Sequence, residues 1–167
     1  MGDDSTGAKT DSASVERVRA AAAALGLDVE IRRMDASTRT AEDAAKACDC
    51  SVAQIIKSLV FENKADASLA LLLVSGIHNV DLQYLSTRYG LSFKRADIDR
   101  VRRETGFAIG GVAPIGHMTA LPVYLDETLL AYDRCFAAAG RPDSVFAVSP
   151  VALRDACNAT VLQMQPA

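Results

Sequence analysis

Hydrophobic and polar positions along the chain change period several times, and each change marks an element. Val15, Val18, Ala22 and Leu25 recur at helical spacing after Ser14 and stop at Gly26, which predicts a first helix. From Asp28 to Met34, Val29, Ile31 and Arg33 alternate with charged neighbours, the pattern of a half-buried strand. Thr40 and Asp43 resemble a capping box and predict a short helix through Ala47. Ser51 and Gln54 repeat that signature, so a further helix is expected to carry Ile55, Ile56 and Lys57. Leu59 to Glu62 and the continuously apolar Ser68 to Ser75, separated by the polar turn Asn63 to Ala67, read as an antiparallel hairpin whose second strand is fully buried.

Asn79 is read as the cap of a helix closed by Gly90, with Leu82, Leu85 and Tyr89 on one face, and Asp97 as the cap of another closed by Gly106. Leu121 to Leu125, Cys135 to Ala139 and Val145 to Val148 are predicted strands, and Ser149-Pro150 opens a last helix with proline at its first position. Short helices interleaved with strands point to an α+β fold around a mixed sheet. No repeat or linker interrupts it: residues 1 to about 12 read as a flexible tail, and residues 13 to 167 as one domain.

Composition narrows the function. Half of the 167 residues are hydrophobic, enough for one core without disulfides or a metal. A net charge of -3 argues against general coating of nucleic acid, which needs an excess of Lys and Arg, so any nucleic-acid partner must be held by a local patch and no DNA partner is expected. The longest apolar run is far short of the roughly 20 residues that cross a bilayer, and the polar, acidic start MGDDSTGAKTDSAS lacks the basic and apolar regions of a secretory signal. A cytoplasmic protein with no membrane partner is therefore expected. Cys48, Cys50, Cys135 and Cys157 form no CxxC pair, and neither a zinc site nor a disulfide framework is expected.

The segment from Thr105 to His117 packs four glycines and a proline into thirteen residues. Glycine leaves no side chain in the way, so successive backbone N–H groups in such a loop can converge on an oxygen bearing negative charge. Neither a P-loop nor a dinucleotide fingerprint is present, and a tight structural crossover is the competing explanation.

Taken together, Gln54-Ile55-Ile56-Lys57-Ser58-Leu59-Val60-Phe61, the strand end Val74-Ser75-Gly76, Thr105-Gly106-Phe107 leading into GGVAPIGH, and Phe136-Ala137-Ala138-Ala139-Gly140 resemble the YbaK/ProX family of editing domains, in order and spacing, from about Ser14 to Gln163. The resemblance implies a mixed sheet curled into a partly closed barrel with flanking helices. It also implies hydrolysis, without metal or cofactor, of the ester between tRNA and a small, wrongly attached amino acid. In that reading Lys57 takes the place of the pocket lysine, with Gly116 and His117 at the reacting end, and Ser75, Gly76, Gly110, Gly111, Val112 and Pro114 surround the substrate.

The residues themselves are consistent with this chemistry. An aminoacyl ester is already activated, so orienting water and stabilising an oxyanion suffices, and the chain has no GxSxG nucleophile elbow. Lys57 lies among Ile55, Ile56, Leu59 and Val60, where its ammonium suits a phosphate or carbonyl of the terminal adenosine, or where its stem merely covers apolar surface. His117 is a candidate to orient water or shuttle a proton; His78 reads as a surface residue, and Asp126-Glu127 as a turn rather than an acid and base pair. Lys94, Arg95, Arg100, Arg102 and Arg103 oppose only Asp97 and Asp99, and Lys94, Arg95, Arg102 and Arg103 are candidates to steer the acceptor end of aminoacyl-tRNA, against the alternative of a solvated helix face. An aminoacyl-tRNA synthetase is a further candidate partner. The rival functions are a binding module of the same fold without hydrolysis and a hydrolase of other small acyl esters.

Overall fold

The computed structural model describes residues 4–34 and 40–167, with the backbone alone over 4–12; the first three residues of the expected tail lie outside it. The first helix, α1 (Asp4–Ala24), starts ahead of the Ser14 cap expected from the sequence and buries Val18 and Ala22. Strand β1 (Ile31–Arg33) follows, shorter than the alternating stretch suggested. Helix α2 (Ala41–Cys48) is capped as expected: Thr40 accepts from the Asp43 N–H at 3.0 Å.

The second capping signature gives a different outcome. Gln54 does reach back to the Ser51 N–H at 3.1 Å, but the result is a single 3-10 turn, Val52–Gln54, and the chain then enters strand β2 (Ile56–Asn63). Lys57 therefore stands on a strand and not on the expected helix. The β-branched and aromatic residues Ile55, Ile56, Val60 and Phe61 favour a pleated surface, and pairing with β3 (Leu69–Ser75) overrides the local start signal.

Strand β3 is buried at every position because both of its faces are covered. Leu71 and Leu73 face the main core with Val18, Val101, Phe107, Leu125 and Phe146, while Ala70, Leu72 and Val74 face Leu85, Phe93 and Met164. A strand covered on two sides must read as an unbroken apolar run, as this one does.

Helix α3 (Leu82–Tyr89) is capped by Asp81 and not by Asn79; the Asp81 carboxylate accepts from the Tyr84 N–H at 2.9 Å. A short strand, β4 (Phe93–Arg95), unforeseen in the sequence, precedes α4 (Ile98–Thr105), which has the expected Asp97 cap and Gly106 stop. Strand β5 (Val123–Asp126), a 3-10 turn (Glu127–Ala131), β6 (Cys135–Ala138), β7 (Ser144–Val148), α5 (Pro150–Cys157) and a second unforeseen strand, β8 (Thr160–Leu162), complete the chain. Three residues each, β4 and β8 are too short to show a period of two.

The α+β fold and mixed sheet are as expected, but the pairing gives two sheets, ordered β1-β7-β6 and β4-β2-β3-β5-β8, with no sheet curled into the partly closed barrel that the resemblance implied. The larger is mixed: β2 pairs antiparallel with β3 and β4, while β3, β5 and β8 run parallel. One isolated bridge, between Ile55 and Phe136, links the sheets. Among the described residues no helix is long and apolar enough to cross a membrane.

Candidate active site

The candidate site lies where the two sheets part. Strand β4 pairs with Phe61–Asn63 of β2 only, so the segment from Ile56 to Val60 has β3 on one side and no paired strand on the other. A cavity of about 630 Å³ lies against that segment, lined also by Ala41 and Ala44 of α2, Phe136 and Ala137 of β6, Ile98 and Val101 of α4, and Ile109, Gly110 and Val112 of the glycine-rich loop. That volume is typical of small-ligand sites.

Lys57 reaches this cavity from β2, and its Nζ donates to the backbone carbonyl of His78. Burial pulls its ammonium below the usual lysine range, opposed by the charges of Glu42 and Asp126. The turn that supplies the carbonyl is closed by a bond from the His78 N–H to Ser75 O at 2.9 Å and anchored by Ser75 Oγ, which donates to Ala53 O at 2.8 Å. Gly76 is required there: a Cβ would lie 2.4 Å from the Val52 carbonyl oxygen. Ser75 and Gly76 thus hold the lysine from behind instead of lining the cavity.

Contrary to the surface role expected for it, His78 is half-buried, and its Nδ1 lies 2.8 Å from Oδ2 of Asp126. Asp126 is fully buried at the end of β5; it also accepts from the Ser75 and Thr128 N–H groups, each at 3.1 Å. No period or spacing along the chain joins residues 57, 78 and 126. Their only common signal is position, each standing within three residues of a strand end.

The loop hangs from the core by its own side chains: Phe107, Val112, Ala113 and Ile115 are buried in the main cluster. Thr105 Oγ1 accepts from the Phe107 N–H at 3.1 Å, and the left-handed Gly106 sits where a Cβ would strike Arg17. Gly111 is not among the residues lining the cavity and is tied back, its N–H bonded to Ala108 O at 3.0 Å; Gly110 and Val112 do line it, and their N–H groups have no acceptor among the described residues. Pro114 is buried, with its carbonyl 3.9 Å from the Cys157 thiol.

Gly116 and His117 fall on the far side of the loop. Arg17 of α1 donates to the carbonyls of Gly106, at 2.6 Å, and Gly116, at 3.4 Å, and its guanidinium lies 4.7 Å over the Phe107 ring. The His117 ring packs edge-on to Phe107, and its Nε2 lies 2.7 Å from the Ala113 carbonyl. A carbonyl only accepts, so Nε2 carries the proton. Burial holds this imidazole below the usual histidine range. Neither residue is among those lining the cavity; both brace the loop.

The cationic stretch is partly neutralised. Glu62 pairs with Lys94 at 3.0 Å and with Arg100 at 2.6 Å, and Arg100 pairs also with Glu104. Arg95 lines the cavity, and Arg102 and Arg103 are exposed on the last turn of α4. Asp143 pairs with Arg33 and Arg141, at 3.1 and 2.7 Å. Burial pushes the Cys135 thiol up to about 12 and those of Cys50 and Cys157 up to about 11, so none is a ready thiolate. Among the described residues no three His, Cys, Asp or Glu side chains are grouped to hold a metal ion.

A small α+β protein with a lysine and a glycine-rich loop on one cavity defines a class, and comparison with known proteins supplies the family. Residues 35–156 match the aminoacyl-tRNA editing domain, and the chain belongs to that family. It is 41% identical to a crystal structure described as a candidate trans-editing enzyme for prolyl tRNA synthetase, with 92% of this chain and 98% of that one covered and a TM-score of 0.83. It is 29% identical to the uncharacterized protein YwhH of Bacillus subtilis, over 75% of this chain and 80% of that protein. A hypothetical protein of known crystal structure, 24% identical over 88% of this chain and 97% of its own, shares the fold with a TM-score of 0.80.

Proposed function

We propose that the protein is an aminoacyl-tRNA deacylase acting in trans, which hydrolyses the ester of a small, wrongly attached amino acid of the alanyl, cysteinyl, seryl or threonyl kind. The observation that carries this reading is that Lys57 lines one cavity together with Gly110 and Val112, whose amides find no acceptor among the described residues. Water adds to the ester carbonyl, and the oxyanion so formed takes hydrogen bonds from those amides, with Lys57 as the neighbouring positive charge. The C–O bond to the ribose then breaks, the ribose oxygen takes a proton, and free amino acid leaves. Family membership and the likeness to a candidate trans-editing enzyme support aminoacyl-tRNA editing as the activity.

Lys94, Arg95, Arg102 and Arg103 are proposed to meet the acceptor end, Arg95 nearest the cavity and the α4 pair farther out. Lys94 is the weakest of the four, since Glu62 already holds it. Gly116 and His117 are proposed to act through the loop they brace, and prolyl-tRNA synthetase is the synthetase partner that the relative suggests.

A panel of alanyl, cysteinyl, seryl and threonyl tRNAs tests the proposal. Hydrolysis of at least one above its spontaneous rate is expected. Binding of tRNA without hydrolysis supports the binding module, and equal cleavage of small acyl esters lacking tRNA supports the general esterase.

A further inference from the structure

The contact between His78 and Asp126 has no part in holding the cavity wall, yet it touches the lysine that reaches the cavity. A fully buried carboxylate must be partnered, and Asp126 Oδ2 has two donors, the Ser75 N–H and His78 Nδ1–H. The charged groups acting on Lys57 are Glu42 from α2 and this same Asp126 from β5. Lys57 carries a flexible stem and three donors. Its Nζ nevertheless bonds to the neutral carbonyl of His78, and the carboxylate is occupied by the ring of that residue.

We propose that His78 is a positioning residue for Lys57: its imidazole occupies the buried Asp126 carboxylate, so that the ammonium rests on the His78 carbonyl instead of collapsing onto Asp126. The inference rests on the role given to Lys57 above, and it makes His78 an agent of catalysis without contact to substrate. Removing the ring leaves the buried Asp126 Oδ2 with the Ser75 N–H as its one remaining donor, and the Lys57 ammonium is the group drawn to the vacated position. Removing the charge of Asp126 as well takes away the attraction.

The test is an NMR titration of Lys57 in full-length protein carrying lysine labelled at Cε, the signal assigned by its loss in Lys57→Arg, with deacylation measured in parallel. In His78→Ala the Lys57 titration is expected to move up by about one unit, the effect of a direct opposite charge, with kcat falling about tenfold and KM little changed. His78→Asn, whose amide nitrogen can stand where Nδ1 stood, is expected to restore both. Adding Asp126→Asn to His78→Ala is expected to bring the titration back down and to recover activity. An unmoved titration in His78→Ala overturns the inference, as does a double variant that loses further activity. Should the titrations behave as expected while the native protein deacylates no tRNA, the positioning stands and the proposed function falls.

Discussion

His117 shows how a residue chosen for its chemistry can serve the structure. In the folded protein its imidazole is buried and held below the usual histidine range of about 6.5. At pH values just under 6.5 the unfolded chain therefore binds more protons at this site than the folded one. Stability is fully present above that value and is lost as pH falls toward the folded-state pKa. In His117→Asn, which can keep a donor for the Ala113 carbonyl and does not titrate, chemical denaturation is expected to show a flatter loss of stability between pH 6.5 and 5. An unchanged pH profile would place the acid sensitivity elsewhere. The sequence marks this histidine out by its place beside the loop glycines, but its packing was not legible there, because the Arg17 clamp joins residues about a hundred positions apart. The same holds for His78 and Asp126: each was visible, and nothing along the chain joined them.

Elements with one strong local cause were legible. Thr40, Asp97 and Ser149 cap α2, α4 and α5 as expected, and the apolar run of β3 appears where both faces are covered. Ser51 misled because a cap starts a turn but cannot continue it against a neighbouring strand, and β2 takes over two residues after Gln54. The turn after β3 carries the strictest local demand. Gly76→Ala puts a methyl group against the Val52 carbonyl, and an overpacking cost of about 2 kcal/mol is expected, or a fall in Tm of about 4 to 8 °C. Because this turn presents the carbonyl that holds Lys57, activity in Gly76→Ala is expected to fall at temperatures where the variant is still folded. A variant as stable and active as the native protein would show that the turn relaxes freely.

At the scale of the whole molecule, an acidic chain that handles tRNA must keep its cations where they meet phosphate. The sequence showed the cluster but not its internal pairing, since Glu62 lies more than thirty residues before Lys94 and Arg100 and only the β2–β4 pairing brings them together. Arg102 and Arg103 are the exposed pair left on α4. Replacing both by Ala is expected to reduce the slope of log affinity for tRNA against log salt by about 1.5, with little change in the rate at saturating tRNA. An unaltered slope would mark α4 as a solvated face. The cavity too was legible only in part: the lysine and the loop were read from the sequence, whereas the parting of the two sheets that opens a space between them depends on pairing no local pattern specifies.

One strand-borne ammonium, beside loop amides that have no acceptor among the described residues, is proposed to break an ester that is already reactive. Lys57→Met removes the charge and keeps the stem, so single-turnover deacylation of a small-aminoacyl tRNA by this variant, with its Tm measured alongside, tests the claim most directly. The expected result is a loss of about 100-fold or more in rate with the fold intact. A rate equal to that of the native protein would contradict it.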